Sequence, residues 1–131
     1  MKKLRNAMAI GKERRRHPRA EVEWPVTVRS SEGIMFGEVT NVSLGGAFIR
    51  CEKPLRVNQM LEMALYVDSL GQSIKATAEV VWSNIYGPDD DITPRGMGVR
   101  FTKISPRDRR LILTIVSKDL ESGHHEEFSR K

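Results

Sequence analysis

From residue 20 to residue 101, short runs of apolar residues alternate with polar ones, and this period of two narrows the fold more than any other feature. Val22, Trp24, Val26 and Val28 alternate with Glu21, Glu23, Thr27 and Arg29, which predicts a strand with one buried face. Pro25 falls on the polar parity and predicts an edge or an irregularity there. Ser30-Ser31-Glu32-Gly33 reads as a turn. A second strand is predicted over 34–42, bulged near Gly37, because the apolar parity shifts between Phe36 and Val39. Gly45-Gly46 turns the chain into a short strand over 47–51. After a loop containing Pro54, Leu61, Met63, Leu65 and Val67 alternate again. Asp68-Ser69-Leu70-Gly71 reads as a hairpin connection into a fifth strand with Ile74, Ala76, Ala78, Val80 and Trp82 on one face. That parity makes Trp82 a core aromatic. The loop over 86–94, with Gly87-Pro88 and three aspartates, reads as polar and exposed. Met97, Val99 and Phe101 point inward on a sixth strand.

The period then changes. Ser105 is a good N-cap, Pro106 suits the first helical position, and Asp108 follows three residues after the cap. Leu111, Ile112, Ile115, Val116 and Leu120 recur at helical spacing. Ser122-Gly123 is expected to end the helix and leave residues 122–131 as a disordered tail. The prediction is a mainly β domain over 20–121: a six-stranded antiparallel β-barrel with a C-terminal α-helix. A chain of 131 residues has room for one such core.

Charge divides the chain unevenly. Residues 1–19 hold eight Lys or Arg against Glu13 alone, a net of +7, while the remaining fourteen bases and sixteen acids leave the body at −2. A flexible basic arm on a nearly neutral barrel points to an anionic partner. No apolar run approaches the length of a membrane span, and the lysines at the start are not followed by a signal-peptide core, so neither membrane insertion nor export is expected. One cysteine, Cys51, allows no internal disulfide and no Cys-based metal site, which fits a reducing cytoplasm. His124-His125-Glu126-Glu127 falls in the predicted tail and reads as adventitious at most. No acid–base pair, nucleophile elbow or metal set emerges, so a binding module rather than an enzyme is expected, with no cofactor and no metal.

Two short constellations carry the chemistry. Before the first strand stands Arg14-Arg15-Arg16-His17-Pro18-Arg19. Pro18 disfavours a helix there, so Arg15 and Arg19 can approach an anion from different sides, each able to fork onto a phosphate or a guanine edge. At the end of the second strand stands Asn41-Val42-Ser43-Leu44-Gly45-Gly46. Alternation places Asn41 and Ser43 outward and Val42 and Leu44 inward, followed by glycines that let a flat base or a phosphate come near the backbone. Taken singly, the first reads as a solvated basic run and the second as a capped tight turn.

Together and in this order they resemble the PilZ domain, a bacterial receptor module for cyclic di-GMP. Its R-x-x-x-R matches Arg15 and Arg19, and its [D/N]-x-S-x-x-G matches Asn41, Ser43 and Gly46. Further likeness runs through Gly46-Ala47-Phe48-Ile49, Val80-Val81-Trp82 and Gly98-Val99-Arg100-Phe101, over roughly residues 12–120. The resemblance implies a six-stranded barrel with a C-terminal helix. It implies that Arg15 and Arg19 grip guanines and phosphates, and that Asn41 and Ser43 bond the second guanine and nearby phosphate. Gly45 and Gly46 would leave room for the base, and Trp82 would stack on it. In that family an arginine just before R-x-x-x-R accompanies a stacked pair of ligands, so Arg14 implies two cyclic di-GMP molecules per chain. Function would run through ordering of the arm on the barrel, offering a changed surface to a downstream protein, with the receptor a monomer or weak dimer. Two other readings stay open: a barrel binding single-stranded nucleic acid, and a PilZ-like adaptor that binds no ligand. Against the first, only Phe48 and Tyr66 among eight aromatics sit clearly on outward parity.

Overall fold

The computed structural model describes the backbone of residues 19–130 and the side chains of 19–118. The expected basic arm, with Arg14 and Arg15, lies outside the described residues except for Arg19. Six strands form: β1 (Ala20–Ser30), β2 (Gly33–Val42), β3 (Gly46–Arg50), β4 (Met60–Val67), β5 (Gln72–Asn84) and β6 (Gly96–Ile104). One helix follows, α1 (Pro106–Arg130). The strands close into a barrel in the order β1-β2-β3-β6-β5-β4, every neighbouring pair antiparallel. It consists of two three-stranded meanders, β1-β2-β3 and β4-β5-β6, joined along two seams, β3 with β6 and β1 with β4. Closure gives every strand a neighbour on both sides, although Ala20–Pro25 of β1 have no partner on β4.

Inward residues alternate along each strand as the period of two requires. Val26 and Val28, Val39, Ile49, Leu65, Ile74, Val80 and Met97 are all buried in the lumen. Trp24 is part of the same core. The link from β3 to β4 sends Leu55 back inside. Cys51, which opens that link, is also buried, and desolvation raises its thiol to about 11, so it packs as a small neutral hydrophobe. Ile112 and Val116, one turn apart on α1, add to the core, with Leu111 and Ile115 packed against it.

The start of the helix is pinned by Asp108. Its backbone N–H donates to Ser105 Oγ at 3.0 Å, the expected N-cap. Its carboxylate accepts the Lys75 N–H at 3.0 Å, just beyond the last β5–β6 pair, Ala76 with Ile104. It is 6% exposed, and Arg107 pairs with its other oxygen at 2.7 Å. The carboxylate thus ends the ladder that β6 can no longer continue.

Three sequence expectations are corrected. Gly37 carries no bulge: the β1–β2 register runs unbroken through it, and Phe36 is 75% exposed. Gly37 lacks a Cβ because one there would sit 2.6 Å from the Arg50 carbonyl oxygen on β3. Pro25 does stand at an edge, as expected: the β4 ladder begins one residue later, at Val26, and the nearest irregularity lies just upstream, between Glu21 and Trp24. Trp82 is not a core residue, because an extra residue at Val81 reverses its parity. Helix α1 passes Ser122-Gly123, where it was expected to end. A single interior glycine weakens a helix by only about 1 kcal/mol, and no proline follows to stop it.

The 86–94 loop is better organised than a solvated turn. Asn84, 7% exposed, donates to the Pro88 and Pro94 carbonyls at 2.8 and 3.0 Å and accepts the Gly87 N–H at 2.8 Å. Asp89 accepts the Arg95 N–H at 2.9 Å and pairs with Arg50 at 3.3 Å. That backbone bond, aided by the two guanidinium charges against partial desolvation, holds the Asp89 carboxyl below its ordinary value.

Replacing Asp108 with Ala strands the Lys75 N–H and should cost about 1–3 kcal/mol, read as a lower urea midpoint, whereas Asp108→Asn keeps an acceptor and should lose less. Because the Asp89 carboxyl is depressed in the folded chain, its clamp is present above the ordinary carboxylate range and disappears as pH falls through the lowered value. Carbon NMR should follow that carboxyl titrating below about 3.9; a midpoint at or above this would mean that the clamp does not form in solution.

Candidate functional site

Two β-bulges build the outer surface where the motifs meet. Against β3, Val39 pairs with Ile49 and Asn41 with Phe48, so Thr40 is an extra residue. Strict alternation from buried Val39 would turn Asn41 inward; the extra residue turns it outward and returns Val42 to the core. Against β6, Val80 pairs with Val99 and Trp82 with Gly98, so Val81 is extra. Val80 is buried, while Val81 and Trp82 are 52% and 47% exposed. The tryptophan that alternation assigns to the core therefore stands on the surface.

Gly98 of β6 lies between Phe48 on β3 and Trp82 on β5, paired with both. Having no side chain, it lets the two rings approach across it, with centroids 5.9 Å apart and planes inclined at 46°. A Cβ on Gly98 would meet Trp82 at an ordinary 3.7 Å. Gly96 is tighter: a Cβ there would overlap the Ile49 carbonyl oxygen and press on the Phe48 ring, at 2.7 Å from Cζ.

The β2–β3 turn forms the other wall. Ser43 Oγ accepts the N–H groups of Gly45 at 3.1 Å and Gly46 at 3.3 Å, and the Ser43 N–H donates to the Gly46 carbonyl at 2.8 Å. The Gly45 carbonyl accepts the Phe101 N–H at 2.9 Å, tying the turn to β6. The hydroxyl proton has only a long 3.4 Å contact to the Gly46 carbonyl. It is therefore available to an incoming acceptor while the oxygen goes on holding the turn. Gly46 itself does not leave room for a ligand: its missing Cβ would overlap the Val99 carbonyl oxygen of β6. The glycine is needed for strand pairing, and its φ is not positive.

Arg19, Asn41, Ser43, Gly45, Gly46 and Trp82 line one pocket of about 380 Å³. Residues from an arm, a strand end, a turn and a distant strand are thus brought together; Arg14 and Arg15 lie outside the described residues. Sequence reasoning did not include Phe48, Val81 and Arg100 in this pocket. Arg100 faces Gly46 on β3 and Glu79 on β5, and its guanidinium pairs with Glu79. Outward parity beside Gly98 and Gly46 was the available signal for it. Among the described residues no cluster of His, Cys, Asp or Glu could hold a metal, and no helix is long and apolar enough to cross a membrane.

The pocket brings two arginines, an amide, a hydroxyl and two aromatic rings together on the surface of a small closed barrel. The chain belongs to the PilZ domain family, whose model matches residues 13–118. The fold is similar to that of several solved structures. The PilZ domain with c-di-GMP of YcgR from Escherichia coli is 16% identical with a TM-score of 0.64, covering 87% of this chain and 97% of that one. The Bacillus subtilis inhibitor of motility (MotI/DgrA) is 18% identical with a TM-score of 0.66, covering 80% and 50%. K. pneumonia MrkH in its apo state is 20% identical with a TM-score of 0.62, covering 86% and 55%. The chain thus spans about half the length of the latter two. A search of curated proteins matches nothing.

Two glycine substitutions separate the roles of the seam and the pocket floor. Gly46→Ala drives a methyl into a backbone carbonyl and should cost about 1–3 kcal/mol of stability. Gly98→Ala enters ordinary van der Waals space and should change stability by less than about 1 kcal/mol. Urea unfolding of the two variants checks the order.

Proposed function

We propose that this protein is a receptor for cyclic di-GMP. The observation that carries the reading is convergence: Arg19 from one motif and Asn41, Ser43 and Gly46 from the other line a single pocket beside an exposed tryptophan. The ligand is a dianion bearing two flat purines. Arg19, with Arg15 and Arg14 of the arm, supplies forked donors for phosphate and for the O6/N7 edge of guanine. The Asn41 amide offers both donor and acceptor to a second guanine edge, and the Ser43 hydroxyl offers its proton to a phosphate oxygen. The Phe48–Trp82 pair gives a base an aromatic face. Arg100, held by Glu79, places one more guanidinium at the rim.

The mechanism is electrostatic. The arm of residues 1–19 carries a net charge of +7 and repels itself. A bound dianion neutralises part of it and docks the arm on the barrel, which alters the surface seen by a downstream protein. Arg14 and Arg16 add cations beside the R-x-x-x-R pair, and a stacked ligand pair carries twice the phosphate charge, so two ligands per chain fit the charge of the site. The reading assigns binding rather than catalysis, and a cytoplasmic setting where Cys51 stays reduced.

Single-stranded nucleic acid fits less well. More aromatics are exposed than alternation suggested, since Phe36, Trp82 and Tyr86 join Tyr66. They stand on separate parts of the surface, however. Among the described residues the paired rings are Phe48 and Trp82, so no track of successive stacking sites runs along a strand.

Calorimetric titration of the full chain with cyclic di-GMP should saturate at two per chain. Arg15→Ala and Arg19→Ala should each weaken binding at least about tenfold. Arg14→Leu should lower the stoichiometry toward one. Trp24 is buried and Trp82 exposed, so ligand stacking should quench the fluorescence of Trp82 alone, and Trp82→Phe should abolish the quench. An Arg19→Ala variant that binds as tightly as the parent would rule out the arginine clamp.

A further inference from the structure

Away from that pocket, two adjacent cross-strand rows cover a second stretch of the outer surface. One row runs Phe36–Thr27–Ala64–Lys75 across β2, β1, β4 and β5. The other runs Ile34–Arg29–Glu62–Thr77–Lys103 and extends to β6. Both are graded in the same direction. At one end stand exposed apolar residues, Phe36 at 75% and Ile34 at 60%. In the middle stand Thr27, Ala64 and Thr77, whose short side chains leave a groove of about 400 Å³. At the other end stand Lys75 and Lys103, both exposed, on neighbouring strands.

The side-chain ammonium groups of Lys75 and Lys103 have no carboxylate partner among the described residues. The ion pairs there are Arg29 with Glu62, Arg50 with Asp89, Arg100 with Glu79 and Arg107 with Asp108. The acid of the groove, Glu62, is thus engaged by Arg29, leaving Lys75 and Lys103 as diagonal like charges, a mildly unfavourable arrangement in an isolated sheet. A partner carboxylate relieves it. Chain residues 1–19 have the wrong sign for this end of the face.

We infer that this face docks a short acidic segment of a partner protein, with an apolar side chain set over the small-residue floor toward Phe36 and Ile34 and carboxylates on Lys75 and Lys103. Four strands span about 14 Å, a distance that four or five extended residues cover. The groove and the arginine pocket share no lining residue, so a partner in the one does not occupy the other. The inference does not depend on what that pocket binds.

The test uses the full chain labelled with nitrogen-15 and two peptides of about eight residues, one alternating Leu with Glu, the other Leu with Lys. The Glu peptide should shift the amides of Thr27, Ala64, Lys75 and Thr77, more weakly as salt rises. The double variant Lys75→Glu/Lys103→Glu should weaken binding at least about tenfold. Lys75→Gln/Lys103→Gln serves instead if charge reversal disturbs the spectrum of the rest of the barrel. Phe36→Ala should weaken binding with the lysines intact. Shifts confined to Arg19, Ser43 and Trp82, an equal response to the Lys peptide, or indifference to both lysine variants would overturn the proposal. So would binding of phosphatidylglycerol vesicles through these lysines by a chain that ignores the Glu peptide.

Discussion

The barrel depends on how closely β3 can lie against β6. That seam joins the two meanders, and it closes because Gly46 and Gly96 present no Cβ to the Val99 and Ile49 carbonyls across it. Gly37 does the same for β2 against β3. Side chains at these positions would hold the strands apart, and a short strand such as β3 has few ladder bonds with which to resist. The pocket is a consequence of the same seam. Gly98, next along β6, is bare on its outer side, so Phe48 and Trp82 meet over backbone rather than over another side chain.

Closure also explains why the functional surface is irregular. A small barrel must coil its strands strongly, and extra residues at Thr40 and Val81 take up the mismatch in register. Each bulge reverses the parity of the strand residues beyond it. One delivers Asn41 to the surface and the other delivers Trp82, so the geometry that seals the lumen also equips the pocket. Ser43 couples the two further, since its oxygen holds the turn that leads into the seam while its proton remains available to a ligand.

Positive charge is distributed differently over two parts of the barrel surface. Arg19 and Arg100 bring positive charge to the pocket over β3 and β6, and Arg100 is tempered there by Glu79. On the β1–β4 side Lys75 and Lys103 stand without such tempering among the described residues. In the proposed function the ligand takes the first of these faces and the inferred partner the second, so that neither displaces the other.

Most of the fold was legible along the chain. Alternation located six strands and their inward residues, because a buried lumen tolerates few polar side chains, and the Ser105-Pro106 start marked the helix. The motif residues Arg19, Asn41, Ser43, Gly45 and Gly46 could be picked out because arginine, amide and hydroxyl groups at short spacing have little use in a barrel wall. Three things were not legible. Trp82 was placed in the core, because a bulge changes parity without changing composition. The role of Gly46 was misassigned, since a missing Cβ looks the same in sequence whether it makes room for a ligand or for a neighbouring strand. Arg100 and Phe48 went unassigned to the site, because their nearness to Arg19 exists only across strand pairs. The sequence by itself therefore determined the class of fold, the barrel's inward residues and the chemistry of the motifs, all of which rest on local periodicity and residue type. Only the tertiary structure decided which side chains share a pocket and which face outward, because both are set by register between strands far apart in the chain, and one extra residue in a strand is enough to invert them.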